Sequence, residues 1–448
     1  MIAWVLLVLT ILLLGAVAIV APRWTVFILV AATALEISSL CYPVLGGAEE
    51  GGALSMVSLA RLASAAVLAA GVWRIWRDLR QGPILALRTR LKPVLTSPLT
   101  IVLALFLLYG LIGLVYSAAP QQTAVESLRL WMLFAVFIAA ALILEQKDVL
   151  LIFRTLHITA LALAPLAFGE ALMGKVLWQG QRLMVEQTLR INATFVDPNI
   201  YARYLVLAIA ANLVLQMYCL ATRDRLLYWA GLVILLGQLV LTGSRGGVLT
   251  LLAVLVLALI LLPRRKAIAG LLAGVGVGGV VLCLVQPHLW QRAMIIGEIF
   301  TNAESQRLYL IKVALAIFRD HPLAGTGLGT FQTVFMSQYE QFKTMAAGAE
   351  RSHTTVLTIA AEQGVIGLVL LLAVIAVLIF VVARLYADHT SYIDLFRAPN
   401  PYVLGAGCLL WIAAVFVSSQ AEGRFFEDPL FWIASAALVV LGRERSRI

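Results

Sequence analysis

Apolar runs of about 20 residues recur along most of the chain, and each is long enough to cross the hydrocarbon core of a bilayer as a helix. Inside lipid the backbone can satisfy its polar groups only in helices or closed barrels, and continuous apolar runs indicate helices. The composition agrees, because 62% of the 448 residues are hydrophobic and only 12% are charged. A soluble protein carries about 25% charged residues. We therefore predict an all-α polytopic membrane protein.

Hydropathy gives roughly twelve or thirteen spans, which we treat as one helical membrane domain over residues 1–448. The first span has no basic segment before it and no convincing cleavage site, so we expect a retained span rather than a signal peptide. The predicted spans are 2–21, 25–46, 54–73, 97–117, 126–145, 149–172, 199–221, 226–242, 247–263, 267–286, 354–383, 401–420 and 427–442.

Lysines and arginines in the short loops predict the orientation, because cytoplasmic loops carry an excess of both. Four basic groups fall on one side of the membrane, which we assign as cytoplasmic. They lie around residues 74–92, 223–225, 264–266 and 443–447. The opposite, external side then holds the segment 173–198, the turn 241–247 and a long loop at 287–353.

The external segments are basic as well, against the usual bias, which makes their arginines informative. A cationic external face predicts an anionic partner such as phosphate or pyrophosphate. The net charge of +10 adds little, because cytoplasmic loops push any membrane protein positive, and we predict no nucleic-acid partner. The external basic residues are Lys175, Arg182, Arg190, Arg245, Arg292, Arg307, Lys312, Arg319, Lys343 and Arg351.

The loop 287–353 has short helices of its own. An amphipathic helix is predicted there, which we expect to lie along the membrane surface or to pack over the external helix ends. Its apolar residues at helical spacing are Leu308, Ile311, Leu315 and Phe318. Pro322 and the glycines of "GTGLG" end this helix. "GTGLG" is only a weak phosphate-loop signal, because the Lys-Ser/Thr pair of a P-loop is missing, and a plain turn is favoured.

Three external residues are candidates for chemistry. His353 stands directly before a span, where imidazole is a natural general base near neutral pH, although a lone interfacial histidine is often only an anchor. Arg245 lies in "SRGG", whose glycines permit close approach of a ligand or a neighbouring helix, or it merely reaches the interface. Arg190 precedes the turn and helix cap "DPN" at 197–199, which together could bind an anion; the alternative is a solvated loop charge.

The sequence predicts no metal site and no cofactor. It contains no HExxH or CxxC motif, and its other histidines lack ligand spacing. The four cysteines lie in or beside apolar spans, where small buried hydrophobes are the ordinary interpretation. Charged residues inside spans are costly in lipid, so we expect four of them to face the bundle interior. These four are Glu36, Arg61, Arg154 and Glu170.

Four segments in order resemble the O-antigen ligase and polymerase superfamily. They are "RINATFVDPNIYARYL", "LTGSRGGVLTLL", "RLYLIKVALAIFRDHPLAGTGLGTF" and "HTTVLTIAAEQGVIG", and the resemblance covers about residues 185–375. His353, Gly364 and Gly367 are similar to the ligase signature of a histidine, ten residues, a glycine, two residues and a glycine. The family often has glycine where this chain has Ala193, and the residue after its histidine is commonly Asn, Ser or Gln where this chain has Thr354.

The resemblance implies a fold and an activity. Members are bacterial inner-membrane proteins that resemble the C-type glycosyltransferase class, with an active site on the periplasmic side. They move a glycan from undecaprenyl diphosphate to a hydroxyl acceptor. In ligases the acceptor is a sugar of lipid A–core, and in polymerases it is the next lipid-linked repeat unit. We expect an O-antigen ligase, with an O-antigen or exopolysaccharide polymerase as the alternative.

The same resemblance implies roles for individual residues. Arg190, Arg245 and Arg307 become the candidates for binding the diphosphate, and His353 becomes the candidate base for the acceptor hydroxyl. Arg351 and Asn199 are further candidates at the same site. The implied transfer inverts the anomeric carbon and needs no metal. A secondary transporter or a non-enzymatic assembly protein is the more distant alternative, although no convincing inverted repeat or concentration of mid-span charges indicates a transporter.

Overall fold

A computed structural model describes residues 2–35, 58–81, 84–176, 184–185, 188–218, 221–285, 306–339, 352, 354–388, 400–423 and 425–443. The helices within these ranges are α1 (Ile2–Val20), α2 (Pro22–Ala32), α3 (Leu59–Gln81), α4 (Ile84–Leu95), α5 (Pro98–Ile112), α6 (Pro120–Ile143), α7 (Gln146–Ala162), α8 (Ala164–Met173), α9 (Pro198–Met217), α10 (Thr222–Leu241), α11 (Arg245–Leu261), α12 (Arg265–Val285), α13 (Gln306–Asp320), α14 (Phe331–Gln338), α15 (Thr355–Asp388), α16 (Pro401–Glu422) and α17 (Pro429–Leu441). A short 3-10 turn, Gly113–Val115, follows α5, and the antiparallel strands β1 (Met184–Val185) and β2 (Thr188–Leu189) form a small hairpin.

Among the described residues, 8 helical segments are long and apolar enough to cross a membrane. They are α3, α5 with its 3-10 turn, α6, α7 joined to α8, α9, α10, α15 and α16. Shorter apolar helices include α1, α2, α11 and α17. The predicted all-α polytopic membrane architecture is confirmed, and the total of twelve or thirteen spans stays a prediction.

Helix α9 forms the centre of the bundle. Its apolar window is 94% buried, and it packs against α7, α10, α11 and α16. A helix that is apolar on all sides is stable only when other helices surround it. Two hydrogen bonds tie α9 to neighbouring helices, because Asn212 Nδ2 donates to the Tyr228 carbonyl at 2.8 Å and the Leu207 carbonyl accepts from Trp411 Nε1 at 2.9 Å.

We call one end of the bundle the basic end. It contains the groups that the sequence assigns to the cytoplasmic side. Arg23, at the start of α2, lies 3.7 Å from Asp148, at the start of α7. Burial and the nearby Arg90 lower the pKa of Arg443 to about 10, so α4, which carries Arg90, and the segment after α17 lie close together. Tyr402, at the start of α16, donates its hydroxyl to the carbonyl of Leu261, at the end of α11. The helix ends therefore alternate as the predicted orientation requires.

The charged residues within the spans follow the prediction only in part. Glu170 is fully buried on α8, which agrees with an interior position. Arg61 and Arg154 are exposed on the outside of the bundle, so the prediction was wrong for both. Each lies within about two turns of a helix start, from which a long arginine side chain can reach the interface. Glu36 lies outside the described residues.

The described part of the loop 287–353 packs on α15. Helix α13 forms as predicted, but its buried face was predicted wrongly, and Leu315 is 49% exposed. The residues that face the core are Leu310, Val313, Ala314 and Ile317, in one cluster with Phe331, Val334 and Phe335 of α14. An amphipathic sequence leaves the width and direction of its apolar stripe open, and packing on α14 and α15 selects the face.

Candidate active site

Arg190 lies between the N-terminal ends of α9 and α11, at the end of the bundle opposite the basic end; we call this the site end. The residue directly follows strand β2, and its side chain is half-buried. Nε donates to the carbonyl of Thr242 at 2.8 Å, and Nη2 donates to Asn199 Oδ1 at 2.7 Å. Ser244 Oγ donates to the same Asn199 oxygen at 2.8 Å. The structure therefore brings together two of the predicted residues, Arg190 and Asn199.

Both helices begin at a capped N-terminus. Asp197 caps α9 by accepting from the backbone N–H of Asn199 at 2.6 Å. Ser244 caps α11 by accepting from the backbone N–H of Gly247 at 3.1 Å. The turn before α11 passes through Gly243, whose φ of 58° is a left-handed conformation that glycine adopts without strain. Two helix N-termini, each with a partial positive charge, thus meet beside the Arg190 guanidinium.

Arg245 is the first residue of α11, and its side chain is exposed at the site end. The glycines after it allow close helix packing. A Cβ on Gly247 would lie 2.7 Å from the Cβ of Ala202, so α11 can approach α9 this closely only with glycine at that position. Of the two interpretations of "SRGG", the structure supports approach of a neighbouring helix for Gly247. Arg245 itself is left on the surface next to the Arg190 cluster.

The residues on either side of His353 are hydrogen-bonded, Ser352 to α15 and Thr354 to α16, although His353 itself lies outside the described residues. Ser352 is buried, and its Oγ lies 2.8 Å from Oγ1 of Thr358. Thr354 Oγ1 donates to the carbonyl of Gln420 at 3.4 Å, and Thr355 Oγ1 donates to that of Ser419 at 3.3 Å. The start of α15 is therefore fixed to the last turns of α16.

The end of α16 also contacts the start of α11. A Cβ on Gly246, next to Arg245, would lie 3.8 Å from the Cβ of Ala421. The N-terminal ends of α11 and α15 thus pack against the same short stretch, 419–421. This stretch joins the arginine side of the site to the segment that contains His353.

We call the segment 321–330 the glycine loop. Its backbone amides bind a carboxylate of α15 and are therefore not open to a phosphate. Glu362 is buried, and its two side-chain oxygens accept from the backbone N–H groups of Gly329 at 2.8 Å and Phe331 at 3.1 Å. Its carbonyl accepts from the N–H of Gly327 at 2.8 Å. The turn interpretation of "GTGLG" therefore agrees with the structure, with Glu362 as its anchor.

The two glycines of the predicted ligase signature shape a kink in α15. Gly364 has φ 63° and ψ −159°, outside helical values. A Cβ there would lie 2.3 Å from the carbonyl oxygen of Leu323 in the glycine loop. The carbonyl of Gln363, next to the kink, accepts from the Tyr109 hydroxyl at 3.2 Å. Gly367 fits the bend, because a Cβ on it would lie 2.3 Å from the Cβ of Gln363.

Ala193 occupies a backbone conformation that favours glycine. Its φ is 48°, and it is the one non-glycine residue with positive φ among the described residues. Glu170 holds this segment, because its Oε2 accepts from the N–H groups of Asn192 at 3.2 Å and Ala193 at 2.9 Å. The buried carboxylate of Glu170 thus stabilises this segment with Ala193 at a position where the family often has glycine. The left-handed backbone conformation of Ala193 costs free energy.

A buried ion pair at the site end was not predicted. Arg203 Nη2 on α9 lies 3.3 Å from Asp428 Oδ2, and both side chains are nearly inaccessible. Asp428 also caps α17 through the N–H of Leu430 at 2.8 Å. Charges within or beside apolar runs are the signal that could have indicated Arg203, Asp428 and Glu362, because lipid disfavours an unpaired charge.

The remaining predicted residues are described only in part. Arg307 lies in the first turn of α13, and its side chain is outside the described part of the structure, as is all of Arg351. Within the described residues, no group of three or more His, Cys, Asp and Glu side chains could hold a metal ion. The diphosphate and base assignments therefore stay predictions.

Comparison with known proteins gives one family. Residues 230–372 match the family described as O-antigen ligase. The match includes Arg245, Arg307, His353, Gly364 and Gly367, whereas Arg190 and Asn199 precede it. Curated proteins gave no significant match.

The family match supports a membrane glycosyltransferase of the O-antigen ligase and polymerase type. It falls on α10 to α15, the part of the chain that supplies the Arg245 turn, the glycine loop and the kink. The match confirms the resemblance drawn from the sequence over residues 230–372, about a third of the chain, which are similar to the O-antigen ligase family.

Proposed function

We propose that the protein transfers a glycan from undecaprenyl diphosphate to a hydroxyl acceptor, as an O-antigen ligase whose acceptor is lipid A–core. One observation carries the proposal: the starts of α11 and α15, with Arg245 and the neighbours of His353, pack against the same stretch of α16 inside the family match. A phosphate-binding arginine and a base on these two helix ends can therefore act on the same glycan donor and hydroxyl acceptor.

The arginine side of the site suits the leaving diphosphate. Negative charge develops on this group as the glycosidic bond breaks, and fixed positive groups stabilise that charge. Arginine side chains grip phosphate oxygens with paired donors, and Arg190 and Arg245 supply two such groups. The N-termini of α9 and α11 add the partial charge of their amides at the same place. Arg307 and Arg351 are further candidates for this contact.

His353 acts as the base in this mechanism. Its neutral imidazole takes the proton of the acceptor hydroxyl as that oxygen attacks the anomeric carbon. The new C–O bond forms while the bond from the anomeric carbon to the diphosphate oxygen breaks, and undecaprenyl diphosphate leaves with the electron pair. A single displacement of this kind inverts the anomeric carbon. The diphosphate is stabilised by arginine, so the proposal includes no metal.

The proposed location is the periplasmic face of a bacterial inner membrane. Both substrates are lipid-anchored, so the reacting groups meet where helices enter the bilayer. The site end lies opposite the end that holds the predicted cytoplasmic arginines, which supports this orientation. The membrane therefore delivers donor and acceptor to the same surface of the protein.

Glycan transfer by the purified protein tests the proposal. The detergent-solubilised protein is given the undecaprenyl-diphosphate-linked glycan with EDTA, and lipid A–core and lipid-linked repeat units are supplied as separate acceptors. We expect the glycan on lipid A–core and no loss of rate in EDTA. Transfer to repeat units alone would replace the ligase with a polymerase. No transfer to either acceptor would contradict the proposal and favour the transporter or assembly alternative.

A further inference from the structure

A half-open cavity lies at the site end, beside the first turns of α15. Its volume is about 470 Å³, within the range of small-molecule sites, about 300–1,000 Å³. Thr355 and Thr358 line one side of it, so it begins within one or two turns of His353. We call it the acidic cavity, because its described lining includes Glu126, Glu362 and Glu427 and no lysine or arginine.

The polar groups of the acidic cavity suit hydroxyl-rich ligands. Carboxylates accept hydrogen bonds, and the side-chain amides of Gln121, Gln122 and Gln332 both donate and accept. Each sugar hydroxyl can be donor and acceptor, so it finds partners of both kinds here. Part of this lining is already fixed, because Gln122 Oε1 accepts from the Thr333 hydroxyl at 2.6 Å.

An aromatic wall completes the cavity. The rings of Phe106 and Phe426 have centroids 4.4 Å apart, and those of Phe425 and Phe426 are 4.8 Å apart. All three rings line the cavity. The three rings pack on one another and are only 1–4% exposed, so they form a rigid apolar floor against which the C–H groups of a sugar ring can lie. Carboxylates and amides around an aromatic wall are a combination that suits sugar rings.

The same carboxylates disfavour the other part of the donor. A diphosphate in the acidic cavity would lie beside carboxylates, which repel it, although Glu126 is paired with Arg129 at 3.4 Å and Glu362 accepts from the N–H groups of Gly329 and Phe331. The arginines assigned to the diphosphate, Arg190 and Arg245, lie on the α11 side of the 419–421 stretch. The charge distribution thus separates a cationic region from an anionic one within the same end of the bundle.

We propose that the acidic cavity binds uncharged sugar residues of the substrate glycan, while the diphosphate binds at Arg190 and Arg245. The inference rests on the proposed function, since it names the part of the substrate that each region holds. The sugars belong to the donor chain or to the acceptor. Binding in the cavity orients one of the two reactants toward the start of α15.

Two variants and a control test this assignment. Val125→Trp adds a large side chain to an exposed position in the cavity lining. The double variant Glu126→Gln, Glu427→Gln replaces two carboxylates with uncharged amides of about the same size. Asp224→Asn, an exposed carboxylate at the basic end, is the matched control. Saturation-transfer NMR measures binding of two probes: the polysaccharide and the core oligosaccharide, each released from the source cells by mild acid.

We expect wild type and Asp224→Asn to bind at least one probe. Both cavity variants should bind that probe about fivefold more weakly, which is the loss of affinity that corresponds to one hydrogen bond. Binding of inorganic pyrophosphate, followed by phosphorus line width, should stay unchanged. Unaltered sugar binding in Val125→Trp, or weaker pyrophosphate binding in both variants, would overturn the assignment.

Kinetics separate the two sources and the two proposals. A rise in KM for the donor alone assigns the cavity to the donor chain, and a rise for lipid A–core alone assigns it to the acceptor. Sugar binding in the cavity without any transfer would refute the proposed function and leave this inference standing. Normal transfer with both KM values and both probe affinities unchanged would refute this inference alone.

Discussion

Gly364→Ala is predicted to release the glycine loop from α15. The backbone at Gly364, with φ 63° and ψ −159°, lies in a region that residues with a side chain avoid at a strain of about 1–3 kcal/mol. An alanine Cβ would also lie 2.3 Å from the Leu323 carbonyl oxygen and 2.4 Å from its carbon. These are backbone atoms, which cannot rotate aside, so the loop has to move.

The hydrogen bonds of the glycine loop set the size of the effect. Seven are formed with α15 by this loop and the residue after it, two of them by Thr326. The residues on the loop side are Pro322, Leu323, Thr326, Gly327, Gly329 and Phe331. A hydrogen bond contributes about 0.5–1.5 kcal/mol net, so the loss of all seven removes about 3.5–10 kcal/mol. Straightening of α15 at the new alanine recovers part of this, and we expect a loss of about 3 kcal/mol or more.

Hydrogen–deuterium exchange of the Gly327 and Gly329 amides, together with the thermal unfolding midpoint, measures this release. We expect faster exchange at both amides and a lower midpoint in Gly364→Ala. Gly274→Ala on α12 is the control, because nothing lies within 4 Å of its Cβ. A helical Gly-to-Ala change there should be neutral or stabilise by up to about 1 kcal/mol. Wild-type exchange and an unchanged midpoint in Gly364→Ala would refute the docking role of the kink.

Three further predictions concern the site end. Glu362→Ala should speed exchange in the glycine loop and lower the unfolding midpoint more than Glu362→Gln, which keeps one acceptor oxygen; equal effects would contradict the carboxylate's role. Asp428→Asn keeps the cap of α17 but leaves Arg203 buried without its counter-charge, a loss of about 3–5 kcal/mol. Adding Arg203→Met should restore much of that stability in a double-mutant cycle, and strict additivity of the two changes would exclude the pairing. Finally, kcat/KM for transfer should fall as pH decreases through the pKa of His353, because the protonated imidazole cannot accept the hydroxyl proton; a rate that stays flat between pH 5 and 8, the range in which an ordinary histidine titrates, would argue against a histidine base.

The membrane architecture could be predicted because lipid restricts the backbone so strongly. Continuous apolar runs can form little else than spanning helices, and basic loops then predict which ends share a side. The helix α13 was predicted from a different signal, the helical spacing of its apolar residues. Its buried face was not predicted correctly, and Leu315 is exposed. The buried face depends on packing against α14 and α15, which the sequence of α13 alone does not specify.

The chemistry of the site was predictable only where short motifs carry it. The spacing of His353, Gly364 and Gly367 indicated the family, but the physical reasons for the glycines are the contact of Gly364 with Leu323 across the kink and the closeness of Gly367 to Gln363. The anchor role of Glu362 depends on hydrogen bonds to residues about thirty positions away, which no local pattern reveals. Long-range pairing therefore sets the limit of the sequence prediction.

The most direct test of the account is the initial rate of glycan transfer by His353→Ala, compared with wild type at saturating undecaprenyl-diphosphate-linked donor. Donor binding and the unfolding midpoint of the variant are measured on the same preparation. We expect the rate to fall by a factor of about 100 to 10,000, the usual contribution of a general base, with donor binding retained. A folded variant that binds donor and transfers glycan at the wild-type rate would contradict the assignment of the base and with it the proposed geometry of the site.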